Sequence, residues 1–243
     1  MTPGFIRIPY NDPDALEKVL VEHGKKIAGF LLEPIQGEAG VYVPDEGYLK
    51  KCYGICKKYN VLFMADEVQC GIGRTGKLLA CDHEGVRPDI LILGKALGGG
   101  VVPVSAVLAD DSIMLNIKPG EHGSTFGGNL IAVRVSIAAL EVIKEENLME
   151  KAEYLGKIFR EEISKVKSSM IEKVRGKGLL NAVIIKPKDG KEAWDVCLKM
   201  RDLGLLAKPT HRHIIRFAPP MVITEEELRD AIKIIKEALM SFE

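Results

Sequence analysis

Long apolar runs are missing from this sequence: no segment of its 243 residues approaches the about 18 consecutive apolar positions of a membrane-spanning helix, so no span is expected. Net charge is missing too. Lys and Arg together number 34, as do Asp and Glu, so no overall field draws nucleic acid or an anionic membrane surface, and a small neutral or zwitterionic partner fits better. Cysteine is sparse and scattered, at Cys52, Cys56, Cys70, Cys81 and Cys197, with no C-x-x-C pair and no His at zinc-finger spacing. That usage reads as reduced thiols in an intracellular protein, cytoplasmic by expectation with a mitochondrial matrix as the alternative. Internal repeats and low-complexity linkers are absent as well, which sets aside solenoids and flexible tethers. The first residues carry neither a signal-peptide apolar region nor an Arg-rich transit character. Pro3, Gly4, Pro9, Asn11, Asp12 and Pro13 instead read as a mid-protein loop entering a helix capped at Asn11 or Asp12.

What is present is a hydrophobic content of 47%, enough for one large domain or two modest ones. The first half alternates. Residues 13–26 have amphipathic helical spacing and lead into the apolar run IAGFLLEPI; residues 45–59 repeat the pattern, with Leu49, Cys52, Tyr53, Cys56 and Tyr59 on one face before VLFMA. Further runs stand at DILIL and VSAVLA, and their continuous character predicts strands covered on both faces of a parallel or mostly parallel α/β sheet. From about residue 129 helical periodicity holds for some forty residues, with a break at Glu146-Asn147. Beyond it GLLNAVII, a helix near 190–203, LLAKP, HIIRFAPP and a helix over 224–241 predict a smaller α+β domain. The expected division is residues 1–142, part of a large domain, and residues 143–243, a small C-terminal domain with its helical connector.

The stretch MADEVQCGIGRTGKL, residues 64–78, satisfies parts of three unrelated site descriptions. Asp66 and Glu67 close an apolar run, as the magnesium-holding strand of a nucleotide hydrolase does; GIGRTG matches G-x-G-x-x-G; Gly71 to Lys77 spells G-x-x-x-x-G-K. A P-loop needs Ser or Thr after its lysine, where Leu78 stands, and needs its glycines before the acidic strand. A dinucleotide fingerprint follows its strand directly, whereas this one begins four residues after Glu67. A plain glycine-rich turn remains.

Lys95 follows Asp66 by 29 residues and, like it, closes an apolar strand. In a parallel sheet both side chains emerge at the carboxyl edge, where open α/β sheets place ligands. A lone Gly-Lys is as often structural, snorkelling or ion-paired. An acid and a lysine facing one crevice suit pyridoxal phosphate: the amine holds the cofactor covalently, and the acid keeps its pyridine nitrogen protonated. A crevice that buries the lysine favours the nucleophilic neutral amine. Gly98, Gly99 and Gly100 let the backbone pass close to the ring.

DEVQCGIGRTGK together with PDILILGKALGGG resembles the class III pyridoxal-phosphate aminotransferases. EPIQGEAG, GEHGSTFGGN and HIIRFAPP resemble the ornithine aminotransferase branch of that family. The resemblance runs through essentially the whole chain. It implies the type I fold of pyridoxal-phosphate transferases, with a partial large domain and a small C-terminal α+β domain. It also implies pyridoxal 5'-phosphate as cofactor, ornithine and 2-oxoglutarate as substrates, and a homodimer or higher homo-oligomer with shared sites. Lys95 and Asp66 become catalytic, Gln69 reaches the ring hydroxyl side, and Ser124 and Thr125 hold the phosphate of the neighbouring subunit's cofactor. Glu38 and Arg216, solvated surface charges if read singly, become an ion pair in the substrate pocket, and Glu33 an additional pocket carboxylate. His122, His211 and His213 read as strand or loop residues, and no metal is expected.

Members of that family carry a long N-terminal part ahead of the region where this sequence begins. It holds the glycine-rich helix start that grips the phosphate and the aromatic that stacks on the ring. The chain is therefore expected to be truncated, to bind cofactor weakly and to have little activity by itself. Other expectations are a different ω-amine transaminase of the class, acting on acetylornithine or 4-aminobutyrate, or a non-catalytic fragment that only associates with other subunits.

Overall fold

The computed structural model describes residues 3–243, which form two compact units. The chain passes between them repeatedly. Residues up to 34, 44–69 and 81–139 build the first unit; residues 35–43, 70–80 and 140–243 build the second.

The first unit opens with α1 (Pro13–His23), started by Asp12, whose carboxylate accepts the Ala15 N–H at 2.9 Å, and by Pro13, whose missing N–H costs nothing in a first turn. It continues through β1 (Gly29–Leu32), α2 (Tyr48–Lys58), β2 (Leu62–Asp66), β3 (Ile90–Leu93), β4 (Ala106–Ala109) and the single-turn α3 (Asp111–Met114). The sheet runs β1-β2-β3-β4, with the first three strands parallel and β4 antiparallel at the edge. Leu16 and Leu20 of α1 pack with Leu49, Cys52 and Cys56 of α2 against Phe63 and Ala65 of β2. Burying Phe63 fully, with Tyr53 edge-on at 5.8 Å between ring centroids, stabilises the unit by about 2–3 kcal/mol.

The cover on both faces expected for DILIL and VSAVLA is not found in this sheet among the described residues. Buried and half-buried residues alternate along β2, while Leu31 of β1 and Val107 and Leu108 of β4 are exposed. Among the described residues, α1 and α2 supply the core of one face of this sheet.

The break expected at Glu146-Asn147 divides α4 (Leu130–Glu145) from α5 (Leu148–Ser164), with Asn147 in the left-handed region at φ 49°. Then come β5 (Ile171–Lys177), β6 (Leu180–Ile185), α6 (Ala193–Asp202), β7 (Lys208–Thr210), β8 (Ile214–Phe217) and α7 (Glu225–Met240). The second sheet is antiparallel throughout, in the order β5-β6-β8-β7. One face carries Val183, Ile185 and Ile215 into a core shared with α5, α6 and α7. The opposite face carries Leu180, Ala182 and Ile214 against Ile35, Val41, Cys70 and Ala80, from the two excursions out of the first half of the chain. A capping box at Thr224 and Glu227 starts α7. No helix among the described residues is long and apolar enough to cross a membrane.

Candidate active site

The carboxyl edge of the three parallel strands gathers the first group of residues. Leu32 pairs with Ala65 and Asp66 with Ile92, so Glu33, Asp66 and the turn opening at Lys95 leave the sheet along one edge. Asp66 is half-buried and accepts the Val68 N–H on Oδ1 at 3.0 Å, which fixes the carboxylate's direction. Glu33 is half-buried at the end of β1, its backbone carbonyl accepting the Tyr10 hydroxyl at 3.1 Å.

Glu67 takes the opposite course to its neighbour. It is fully buried, and its Oε1 accepts the Cys81 N–H at 2.8 Å while its own N–H donates to the Ile92 carbonyl at 2.9 Å. Burial first, and then the Glu67 charge, push the Cys81 thiol well up. This carboxylate ties the end of β2 to the 3₁₀ turn Ala80–Glu84 and thereby supports the turn after Asp66. The sequence shows it only as the second half of an acidic pair.

Lys95 opens the 3₁₀ turn Lys95–Gly98 at φ 44°, a left-handed conformation that is costly for a side chain with a Cβ. It is exposed, not buried as the sequence suggests, because it stands at the tip of the turn beyond the strand edge. The Asp66 and Lys95 turns touch: a Cβ on Gly94 would lie 3.3 Å from Cγ1 of Val68. Gly99 and Gly100 have φ of 57° and 77°, so the chain turns away by a route that favours glycine. Gln69 is half-buried in the turn after Asp66. Ser124 and Thr125 lie outside helices and strands in an exposed segment, with the Ser124 Oγ accepting the Gly127 N–H at 3.1 Å.

GIGRTG is a clamp, with no α-helix directly after it to present N–H groups to a phosphate. Arg74 points inward, donating to the carbonyls of Leu179 at 3.3 Å and Pro219 at 2.5 Å, while its own carbonyl accepts the Leu179 N–H at 3.0 Å. A Cβ on Gly73 would fall 2.7 Å from Met221 and one on Gly76 2.6 Å from the Glu153 carboxylate. The glycines thus serve packing inside the second unit, which removes the P-loop and dinucleotide readings.

Within the second unit Arg216 of β8 donates to Glu38 Oε2 at 2.9 Å. Residues 178 positions apart meet because the Gln36–Tyr42 segment lies on the sheet face that carries Ile214 and Arg216. The Glu38 side chain is 65% exposed and that of Arg216 24%, so the carboxylate faces solvent more than the guanidinium does. His122, His211 and His213 are exposed.

The Aminotransferase class-III family profile matches residues 1–239. The mitochondrial ornithine aminotransferase of Rattus norvegicus is 58% identical over 240 residues, covering 99% of this chain and 54% of that protein. The Schizosaccharomyces pombe ornithine aminotransferase is 58% identical over 232 residues, covering 95% of this chain and 53% of that protein. The chain therefore spans about half the length of the curated relatives it matches. Among solved structures, the acetylornithine aminotransferase of Elizabethkingia anophelis superposes with a TM-score of 0.96 at 62% identity, covering 100% of this chain and 61% of that one. An ornithine aminotransferase of Toxoplasma gondii, described as partly occupied by PLP at its active site, has a TM-score of 0.96 at 48% identity, covering 100% and 57%. With the acid and lysine of the sheet edge in place and the family's sequence pattern running along nearly its whole length, the chain belongs to the class-III aminotransferases.

Proposed function

We propose that the chain carries the lysine and carboxylate chemistry of a pyridoxal-phosphate-dependent ornithine aminotransferase. The reaction moves the terminal amine of L-ornithine to 2-oxoglutarate, giving glutamate 5-semialdehyde and glutamate. The observation that carries the reading is the contact between the Asp66 and Lys95 turns at one carboxyl edge, made by Val68 against Gly94. The donor set fits the cofactor: a directed carboxylate for a pyridine nitrogen, and an exposed amine for an aldehyde carbon.

Bound there, pyridoxal phosphate supplies an electron sink for the substrate carbon that loses its proton. Asp66 holds the proton on the ring nitrogen. Lys95 secures the cofactor and, when released by an incoming amine, moves the proton at the substrate carbon. Gln69 faces the ring hydroxyl, and Glu33 adds a carboxylate for the substrate. Arg216 takes the carboxylate of the oxo acid, and Glu38 masks Arg216 while ornithine reacts, so that two carboxylates compete for one guanidinium. Ser124 and Thr125 serve the phosphate in a second copy of the chain. The homodimer this requires is supported by the exposure of Phe126, Leu130 and Ile131, an apolar surface suited to pairing.

One solved structure at 62% identity carries the acetylornithine name; the ornithine reading is preferred because the rat, fission yeast and Drosophila melanogaster relatives, at 57–58% identity, and the Toxoplasma gondii structure all carry the ornithine name. The test is to add pyridoxal phosphate, reduce with borohydride and locate the trapped adduct by peptide mass spectrometry. It should fall on Lys95, vanish in Lys95→Ala and persist in Asp66→Asn; trapping confined to other lysines overturns the assignment. Discharge of the bound cofactor by ornithine, N-acetylornithine and 4-aminobutyrate, compared in single turnovers, then ranks the amines.

A further inference from the structure

Arg175 in β5 stands opposite Ala182 in β6, and Ala182 stands opposite Arg216 in β8. Cross-strand partners share a face, so two arginines stand on one face two strands apart, about 10 Å, with only a methyl group between them. The segment Gln36–Tyr42 lies over that row. Its ends are closed by reciprocal backbone bonds, Gln36 N–H to Tyr42 at 3.1 Å and Tyr42 N–H to Gln36 at 2.9 Å.

Three contacts hold the segment's backbone down. Arg175 donates from Nε at 3.1 Å and Nη2 at 2.8 Å to the Gly40 carbonyl, with its guanidinium carbon 3.8 Å from the centroid of the Tyr42 ring. Thr210 of β7 donates its hydroxyl to the Glu38 carbonyl. Gly40, at φ 124°, lies so close to β8 that a Cβ there would fall 2.5 Å from Cδ1 of Ile214. The Glu38 backbone is thus anchored on both sides, while its mostly exposed carboxylate reaches Arg216.

We propose that Arg175 is a positioning residue for carboxylate selection at Arg216. The inference rests on the reading of Glu38 and Arg216 as a competing pair. The two arginines divide the work: one is committed to a backbone carbonyl and an aromatic ring, and the other is left exchangeable. Holding the segment keeps Glu38 at high effective concentration over Arg216, so an incoming carboxylate displaces a side chain and leaves the backbone in place. Lysine cannot replace Arg175 in this, because it lacks the planar fork that gives one carbonyl two donors while stacking on a ring.

The test uses the 243-residue chain, with glutarate as the probe and the Arg216 Nε–H followed by nuclear magnetic resonance. Removing the competitor in Glu38→Ala should tighten glutarate binding by about two- to fivefold, the range an exposed ion pair supports. Arg175→Lys, which keeps the charge, should move affinity in the same direction, and so should Thr210→Val, which loosens the other anchor. In the Glu38→Ala background neither should add anything, because the carboxylate they position is gone. A purely electrostatic role predicts no change for Arg175→Lys and weaker binding for Arg175→Met.

Wild-type affinity in folded Arg175→Lys, or an equal gain with and without Glu38, overturns the positioning role while the competing pair stands. Should Arg175→Lys fail to fold, wild-type affinity in Thr210→Val overturns it in the same way. An unchanged affinity in Glu38→Ala, or binding that survives Arg216→Ala, removes the competing pair itself and the inference with it.

Discussion

Gly156 of α5 and Gly178 of the β5–β6 turn meet backbone to backbone: a methyl group on Gly156 would lie 1.8 Å from the Gly178 carbonyl oxygen. The helix approaches the turn this closely only because Gly156 carries no side chain; a Cβ on Gly178 would instead fall 2.5 Å from the Thr75 backbone. Gly156→Ala must push α5 off the sheet and should destabilise the chain by about 3 kcal/mol. Gly54→Ala is the control, since a Cβ there meets nothing within 4 Å and the residue lies inside α2; it should add about 1 kcal/mol. Urea titrations of the two variants check both signs, and equal stabilities would show that the contact is not tight.

Arg74 should behave as a structural residue. Burial lowers its guanidinium pKa, yet its hydrogen bonds to the Leu179 and Pro219 carbonyls give the charge two acceptors. Arg74→Met leaves those acceptors without their donor and should cost about 2 kcal/mol. Trapping of pyridoxal phosphate on Lys95 at a temperature where the variant is folded should be unchanged, which separates a clamp from a phosphate ligand.

Lys95 pits conformation against chemistry. Its φ of 44° disfavours any residue with a Cβ, so Lys95→Gly should be more stable than Lys95→Ala by about 1 kcal/mol. Both variants should lose covalent capture of the cofactor. Thermal unfolding and borohydride trapping on the same samples read the two effects. A glycine variant no more stable than the alanine one would mean that the turn is not strained.

The thiols set the alkaline limit. Burial pushes Cys52 and Cys197 up to about 11 and Cys56 up to about 12, against an ordinary thiol value of 9.0. A raised pKa means that the folded chain favours the neutral thiol. The stability this contributes is complete below pH 9.0 and is lost as the pH rises through 11 to 12. On the acid side, hydrogen bonds from Lys165 and Lys236 hold Glu162 down to about 2, from 4.5. That contribution is present above pH 4.5 and lost as the pH falls through about 2. Denaturant midpoints across pH should fall at both ends, and a thiol reagent should react with native protein far more slowly than with unfolded protein.

Local signals carried much of the fold. Asp12 before Pro13 marks the start of α1, and Asn147 marks the break between α4 and α5, because each solves a backbone problem within a few residues. The strand β5, IEKVRGK, escaped the reading: it is an edge strand whose charged residues hide the alternation, and its pairing with β6 is a long-range fact. The antiparallel direction of β4 escaped for the same reason, since an apolar run has no arrow. At the candidate site, the placement of Asp66 and Lys95 at one sheet edge was legible because each closes an apolar run. Glu67 and Arg175 were not, because their partners are backbone groups that the sequence does not display, the Cys81 N–H and the Gly40 carbonyl.

The 135 positions between Gly40 and Arg175 also bear on how the chain is made. A ribosome adding residues at ordinary speed delivers Arg175 on the order of ten seconds after Gly40. Through that interval Ile35 and Val41 have no sheet to rest on, for Leu180, Ala182 and Ile214 are not yet synthesised. The second unit cannot mature from its own C-terminal stretch, because one face of its sheet is covered by residues from the opening third of the chain. Nascent chains halted before β8 should therefore engage chaperones through those unmatched apolar segments, and residues 140–243 produced alone should aggregate unless peptides spanning residues 35–43 and 70–80 are both supplied.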